Sequence, residues 1–393
     1  MTNLIPASEF CLSVFDGTHD TPKPVKEGKL LITSKHISGG VLDSSSAYFI
    51  SEKDYLSIQK RSAVSQWDIL FSMIGSVGEV YLEKNQSIPY AIKNMGVFSC
   101  KDENKARWLY YYLISPAAKT HVQRFINGAV QKFLPLSALR NFPVPLYDES
   151  KNTIVKVLST IDEKIECNNR IKVELESMAK FIYNFWFVQF DFPDENGKPY
   201  RASGGPMVYN DILKQKIPVG WSNIAIGDIL EKSPASTKVL SQDILNTGEI
   251  PVIDQGQSYI CGFTNEVSAL IQPKRPHIIF GDHTRVVKLV NFNYARGADG
   301  TQILSSSDNS FPSYVLYQAI ANIDLSNYGY ARHFKFLKEK MIILPQESIS
   351  SKYQEIATPI FEKVKNITFE NLELTKLRDW LLPLLINGQV TAS

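Results

Sequence analysis

Between positions 154 and 185 a stripe of apolar residues runs through 154, 158, 161, 165, 171, 175, 178, 182 and 185, with Val157 beside its second position. The steps are mostly three and four, the stripe of an amphipathic helix, and their alternation is that of a coiled-coil seam. The same stripe returns later in the chain. Val157, Ile161, Ile165, Leu175, Met178, Ile182 and Phe185 correspond to Ile356, Ile360, Val364, Leu374, Leu377, Leu381 and Leu384, each 199 residues further on. Asn168 falls where a core residue is due, and one buried Asn at a seam commonly sets register. About 35 helical residues make a rod of roughly 50 Å. One such helix could lie on its own globular domain. Two, placed after matching domains, pair more economically, as an antiparallel coiled coil. The expected interface is Ile161, Ile165, Asn168, Leu175, Met178, Ile182, Phe185 and Trp186 on the first helix. On the second it is Ile360, Val364, Leu374, Leu377, Leu381 and Leu384. Pro359 is expected to kink the second helix or mark its start, and Pro383 to bend its last turn.

The repeat extends upstream. FLPLSALRNFPVPLYDES (133–150) and HFKFLKEKMIILPQES (333–348) each read as a short strand, a proline and a polar helix start. DILFSMIGSVGEV (68–80) faces HIIFGDHTRVVKL (277–289), strand–turn–strand in both. The pattern predicts an α+β chain of two globular domains alternating with two long helices, with an internal pseudo-twofold repeat. Expected bounds are 1–147 for the first domain, 148–190 for the first helix and 191–216 for a Gly-, Pro- and Asp-rich linker. The second domain takes 217–346 and the second helix 347–390.

Composition narrows the partners. The 393 residues carry 42 basic and 40 acidic side chains, a net charge of +2, so nucleic-acid contact must come from local clusters. Four scattered cysteines, none in a CxxC, read as reduced thiols of a cytoplasmic protein. No signal peptide and no membrane span is expected. A phosphate loop, a GxSxG elbow, HExxH and metal-ligand spacing are all missing from the sequence. Asp282-His283 and the serines at 305–307 are isolated hits. Instead, Gly, Arg, Lys, Gln and aromatics recur together in loops. In the first domain these offer Thr18, His19, Lys23, Arg124, Gln131 and Lys132. In the second they offer His283, Arg285, Arg296, Gln302, Arg332, His333 and Lys335. Arg and Lys neutralise phosphates, and Arg, Gln and Asn can grip base edges.

These stretches resemble a known family. KIPVGWSNIAIGDIL (216–230) is similar to the Ile-Pro-x-Gly-Trp opening of a target recognition domain. DGTHDTPK, DILFSMIGSVGEV, NGAVQKFLPLSALRNFPVPL and the helix from Ile161 resemble other parts of the specificity subunit of type I restriction-modification enzymes. The resemblance runs along nearly the whole chain, in motif order more than in any one motif. It implies two target recognition domains, each reading half of a bipartite site in double-stranded DNA. It also implies a helical spacer that docks two modification (adenine methyltransferase) subunits, with restriction (motor-nuclease) subunits in the full complex. This chain would hold no active site and no cofactor, S-adenosylmethionine belonging to the methyltransferase subunits. The first domain lacks the Ile-Pro-x-Gly-Trp opening, and ARGADGTQIL departs from the usual glycine turn. Two other readings are the recognition part of a separated type II-like restriction enzyme and a protein adaptor that binds no DNA.

Leu175→Asp would put a carboxylate in the seam. The expected outcome is loss of the fixed gap between the two halves of the recognised DNA, read by mapping modified sites.

Overall fold

The computed structural model describes residues 4–126, 133–329 and 332–390. It divides into two compact units, Met1–Glu166 with Asn371–Ser393, and Cys167–Glu370. Helix and strand are mixed in both. The division falls inside both long helices, so each unit contains a globular part and stretches of both.

In the first unit, strand β1 (Leu4–Pro6) is followed by β2 (Ser13–Asp16), β3 (Lys29–Ile32) and β4 (Tyr48–Ile50). Helix α1 (Glu52–Ser62) starts at Ser51, whose Oγ accepts from Asp54 N. Then come β5 (Asp68–Ser72), β6 (Val80–Leu82), β7 (Tyr90–Ile92) and β8 (Met95–Ser99). Every residue of β5 and β8 is buried, which suits strands central to a sheet. Helix α2 (Glu103–Ile114) is capped by Asp102, which accepts from Lys105 N at 2.8 Å. Helix α3 (Pro116–Ile126) follows, and β9 (Pro143–Pro145) ends the globular part. β2, β8, β5 and β6 form an antiparallel sheet in that order, while β4, β3 and β7 form another in which β3 and β7 run parallel. β1 pairs with β9, bringing the ends of the globule together.

Helix α4 (Asn152–Tyr183) continues as a π-helical turn, Asn184–Val188. In the second unit, β10 (Met207–Asn210) and β11 (Gln215–Pro218) form a hairpin inside and just beyond the stretch expected as linker. That stretch is folded rather than open: Phe192 stacks on both Tyr200 and Trp221. Next come β12 (Ser222–Ala225), β13 (Lys238–Val239), β14 (Ile250–Ile253), β15 (Gly262–Thr264) and β16 (Leu270–Ile271). After them come β17 (His277–Gly281), β18 (Val287–Val290), β19 (Tyr294–Gly297) and β20 (Thr301–Leu304). Helices α5 (Ser313–Ala321) and α6 (His333–Lys338) precede β21 (Met341–Leu344). β18, β17 and β20 are antiparallel, β13 and β14 both pair with β19 in parallel, and β12 pairs with β21.

Helix α7 (Glu347–Ile386) runs as one element through Pro359 and Pro383. The expectation that Pro359 marks its start is therefore corrected. Proline removes the hydrogen bond to the Glu355 carbonyl, but Glu355 is exposed and water can serve it. Within the first unit, Leu382, Leu385 and Ile386 of α7 join Ile154, Val155 and Leu158 of α4 in one core with Trp108, Leu109 and Phe142. Arg378 Nη1 donates to Asp162 Oδ1 at 3.0 Å. Within the second unit, Tyr353 packs against Tyr183, Trp186 and Phe187, and its hydroxyl donates to the Ala179 carbonyl at 3.0 Å. Asn168 is buried and donates to Glu370 Oε2 at 2.9 Å. Met178 and Leu377 depart from the expected seam: they are 44% and 43% exposed. The buried line of α7 instead takes Tyr353, Ala357, Ile360, Phe361 and Ile367. Cys11 and Cys100, distant in sequence, are buried free thiols with sulfurs 3.9 Å apart.

Leu158→Ala empties fully buried volume and should cost about 2–5 kcal/mol, whereas Leu377→Ala should stay within about 0.5 kcal/mol. Urea denaturation checks the contrast, and equal losses would contradict this packing.

Candidate nucleic-acid interface

In sheets with parallel strands, ligands collect beyond the carboxyl ends of those strands. In the first unit these ends are Ile32 of β3 and Ile92 of β7. The segment after β2 crosses there. Thr18 N donates to the Ile92 carbonyl at 3.1 Å, and Asn94 N returns a bond to the Thr18 carbonyl at 3.1 Å. Gly17 has to be glycine, because a Cβ would stand 2.5 Å from the Ile92 oxygen. Asp16 is the centre of the cluster. One carboxylate oxygen accepts from Arg61 Nη2 at 2.7 Å, and the other lies 3.0 Å from His19 Nε2. His19 Nδ1 meets Asn94 Oδ1 at 2.8 Å, and Lys93 Nζ donates to Thr21 Oγ1. Lys23 follows, exposed. Arg124 is exposed on α3 and makes no hydrogen bond or ion pair with this network among the described residues. The chain beyond it returns at Phe133–Leu134, where Leu134 N donates to the Met73 carbonyl after β5. Gln131 and Lys132 lie outside the described residues.

In the second unit the carboxyl ends of β13, β14 and β19 meet. Gln255 knits three loops. Its Nε2 donates to the Asp299 carbonyl at 2.9 Å, its Oε1 accepts from His283 N at 3.1 Å, and its carbonyl accepts from Thr284 Oγ1 at 2.6 Å. Gly300, at φ +80°, leaves room that a Cβ would close to 2.4 Å from Gln255 Nε2. Beneath the loop lies Lys288, its side chain 4% exposed. Its ammonium donates to the carbonyls of Asp254 and Ser258 at 2.8 and 2.6 Å. Burial holds its pKa below the usual lysine value, and the nearby Asp254 carboxylate opposes that shift. Arg285 is exposed in left-handed backbone at φ +64°, with Nη1 on the Leu325 carbonyl at 3.2 Å.

Arg332 and Lys335 are exposed at the start of α6. His333 between them is 2% exposed, which corrects its reading as a DNA contact. Its ring nitrogens lie at the carbonyls of Asp282 and Gly329, 3.0 and 3.1 Å away, so it pins α6 to the turn after β17. Asp282 also receives Phe334 N, and Ser305 Oγ donates to Glu231, so both serve the fold. Arg296 and Gln302 are half-buried in β19 and β20, not in an open glycine loop. Arg296 Nε is buried with no hydrogen-bond partner among the described residues. Among those residues no His, Cys, Asp and Glu group of three or more could hold a metal ion, and no helix is long and apolar enough to cross a membrane.

Sequence reasoning missed Arg61, Asn94, Gln255 and Lys288. Gln255 and Gln257 carried a signal, glutamines flanking a glycine directly after a strand. Arg61 and Lys288 carried none, since each looks like an ordinary charge within a regular element.

Residues 24–177 match the family model described as the type I restriction modification DNA specificity domain. The chain is 25% identical to the type I restriction enzyme MjaIX specificity subunit of Methanocaldococcus jannaschii over 349 residues, 82% of this chain and 77% of that protein. It is 22% identical to the type I restriction enzyme HindI specificity subunit of Haemophilus influenzae over 405 aligned residues, 84% and 88% of the two chains. Its fold is similar to the crystal structure of the type I restriction-modification system S subunit from M. genitalium. That likeness has a TM-score of 0.56 and 17% identity, and covers 97% of this chain and 95% of that one.

Lys288→Met should keep the apolar volume and lose the donor to two loop carbonyls, at about 1–3 kcal/mol. Amide hydrogen exchange at 254–258 should accelerate. Unchanged protection there would show that Lys288 does not anchor the loop.

Proposed function

The chain belongs to the specificity subunits of type I restriction-modification enzymes, and on that premise we propose that it reads a divided DNA target, one half with each unit. It is a non-catalytic DNA-recognition component. The observation that carries the two-reader model is the paired loop cluster. Each unit collects polar and basic side chains beyond the ends of parallel strands, around Asp16 in one and Gln255 in the other. Thr18, His19 and Lys23 face one half-site, with Arg124, Gln131 and Lys132 contributing from the following segment. Arg285, Arg332 and Lys335 face the other. His283, Arg296 and Gln302 shape that surface from within.

The repeat reading is supported by the order of elements. In each unit an early strand pairs with the last one (β1 with β9, β12 with β21), parallel strands flank the loop cluster, and α2 and α5 follow corresponding strands. The helical pair acts as an antiparallel coiled coil that sets the gap between half-sites and docks two modification subunits. Three contacts support it: Asp162 with Arg378, Asn168 with Glu370 and Ala179 with Tyr353, rising along one helix as they fall along the other. The modification subunits carry S-adenosylmethionine, and restriction subunits complete the assembly. Duplex DNA repeats its groove every ~34 Å, a span a helical spacer can match. A net charge of +2 makes the isolated subunit a weak binder, so affinity arises in the complex enclosing the duplex.

The test is co-expression with the modification subunits, followed by sequencing host DNA for modified adenines. A motif of two short specified parts and a fixed unspecified gap is expected. Arg332→Ala should alter one part alone. A stable complex that leaves no new modification, or an Arg332→Ala effect on both parts equally, would overturn the two-reader model.

A further inference from the structure

We propose that Arg61 is a base-reading residue of the first unit and that the base it reads is guanine. The inference rests on the reading of this chain as a DNA-recognition component and names a residue of that same surface. Arg61 stands at the end of α1 with its side chain 65% exposed, yet its guanidinium has a well-buried partner. Asp16, its side chain 8% exposed, holds Nη2 at 2.7 Å. Ser62 Oγ donates to the Asp16 carbonyl at 2.8 Å, tying the helix end to the strand end. The other oxygen of Asp16 holds His19, which in turn meets Asn94. Helix α1 and the segment after β2 thus meet on one carboxylate, and His19 links it to the turn after β7.

A free arginine loses rotamer freedom when it binds, and a side chain already fixed by a buried partner has lost most of it beforehand. Among the described residues Asp16 is the one hydrogen-bonding partner of Arg61, so Nη1 and Nε remain for a ligand. Nη2 carries two hydrogens and gives one to Asp16, so its other N–H, with that of Nη1 or Nε, makes a planar fork that needs two adjacent acceptors. In the major groove guanine alone presents two, O6 and N7, since adenine sets a donor beside its N7. Phosphate also accepts a fork. Here, however, Asp16 neutralises the guanidinium charge, which weakens a purely electrostatic clamp and leaves the directional donors intact. Phosphate contacts fall instead to Lys23 and Lys35, both exposed and without an ion pair among the described residues.

The test uses the full chain in complex with its co-expressed modification subunits. Wild type, Arg61→Ala and Arg61→Lys are each used to select from a random-sequence duplex pool, which is then sequenced. Expected is a divided motif for the wild type. In both variants one guanine of one half becomes unspecified, with discrimination there down roughly tenfold to hundredfold and the other half unchanged. Arg61→Lys keeps the cation and lacks the planar fork, and lysine reaches the two guanine acceptors only through one ammonium. If it retains the guanine at undiminished discrimination, the assignment is wrong. It is equally wrong if Arg61→Ala keeps the whole motif and only lowers the salt slope of binding by about one, the mark of a phosphate contact. No divided motif from the wild type would sink the two-reader model itself, and the Arg61 assignment with it.

Discussion

The first unit cannot close on its own contiguous chain. Its core needs Leu382, Leu385 and Ile386, which arrive from more than two hundred residues beyond Leu158 and pack with it. That burial ties the end of α7 to α2 and to the start of α4. Long-range closure of this kind is entropically slow to form, and it pays off through the apolar area it removes from water. Everything placed by the first unit, including the loop cluster beyond β3 and β7, is hung on a globule completed in this way.

The two loop clusters solve one problem with different chemistry. In the first unit a buried carboxylate gathers Arg61 and His19. In the second an amide, Gln255, gathers three loops while the buried ammonium of Lys288 holds the backbone beneath it. A carboxylate presents cations, and an amide presents neutral donors and acceptors. If each unit reads one half-site, as proposed above, hubs this different would present different donors and acceptors to the two halves.

The chain itself determined the elements whose signals are local. The long helices follow from a three-and-four spacing carried within a few residues, and the caps at Ser51 and Asp102 from a side chain reaching its own next turn. The strands β5 and β17, 209 residues apart, were legible as apolar runs. The polar and basic character of the loops was legible as composition. Tertiary structure decided which of those residues face outward. His333 sits between exposed basic residues and reads as a surface group, but the Asp282 carbonyl, 51 residues away, takes it inside. Arg61 reads as one more charge on an amphipathic helix until Asp16, 45 residues away, takes its Nη2. Met178 and Leu377 fit the seam by spacing, yet the buried line of α7 runs through Tyr353, Ala357 and Ile360. Periodicity states that a helix has an apolar side, and a neighbouring surface chooses how far round that side is covered. A residue's type limits what it can bind and is written in the chain, but its partner is a contact across long sequence separations, and that exists only once the chain has closed.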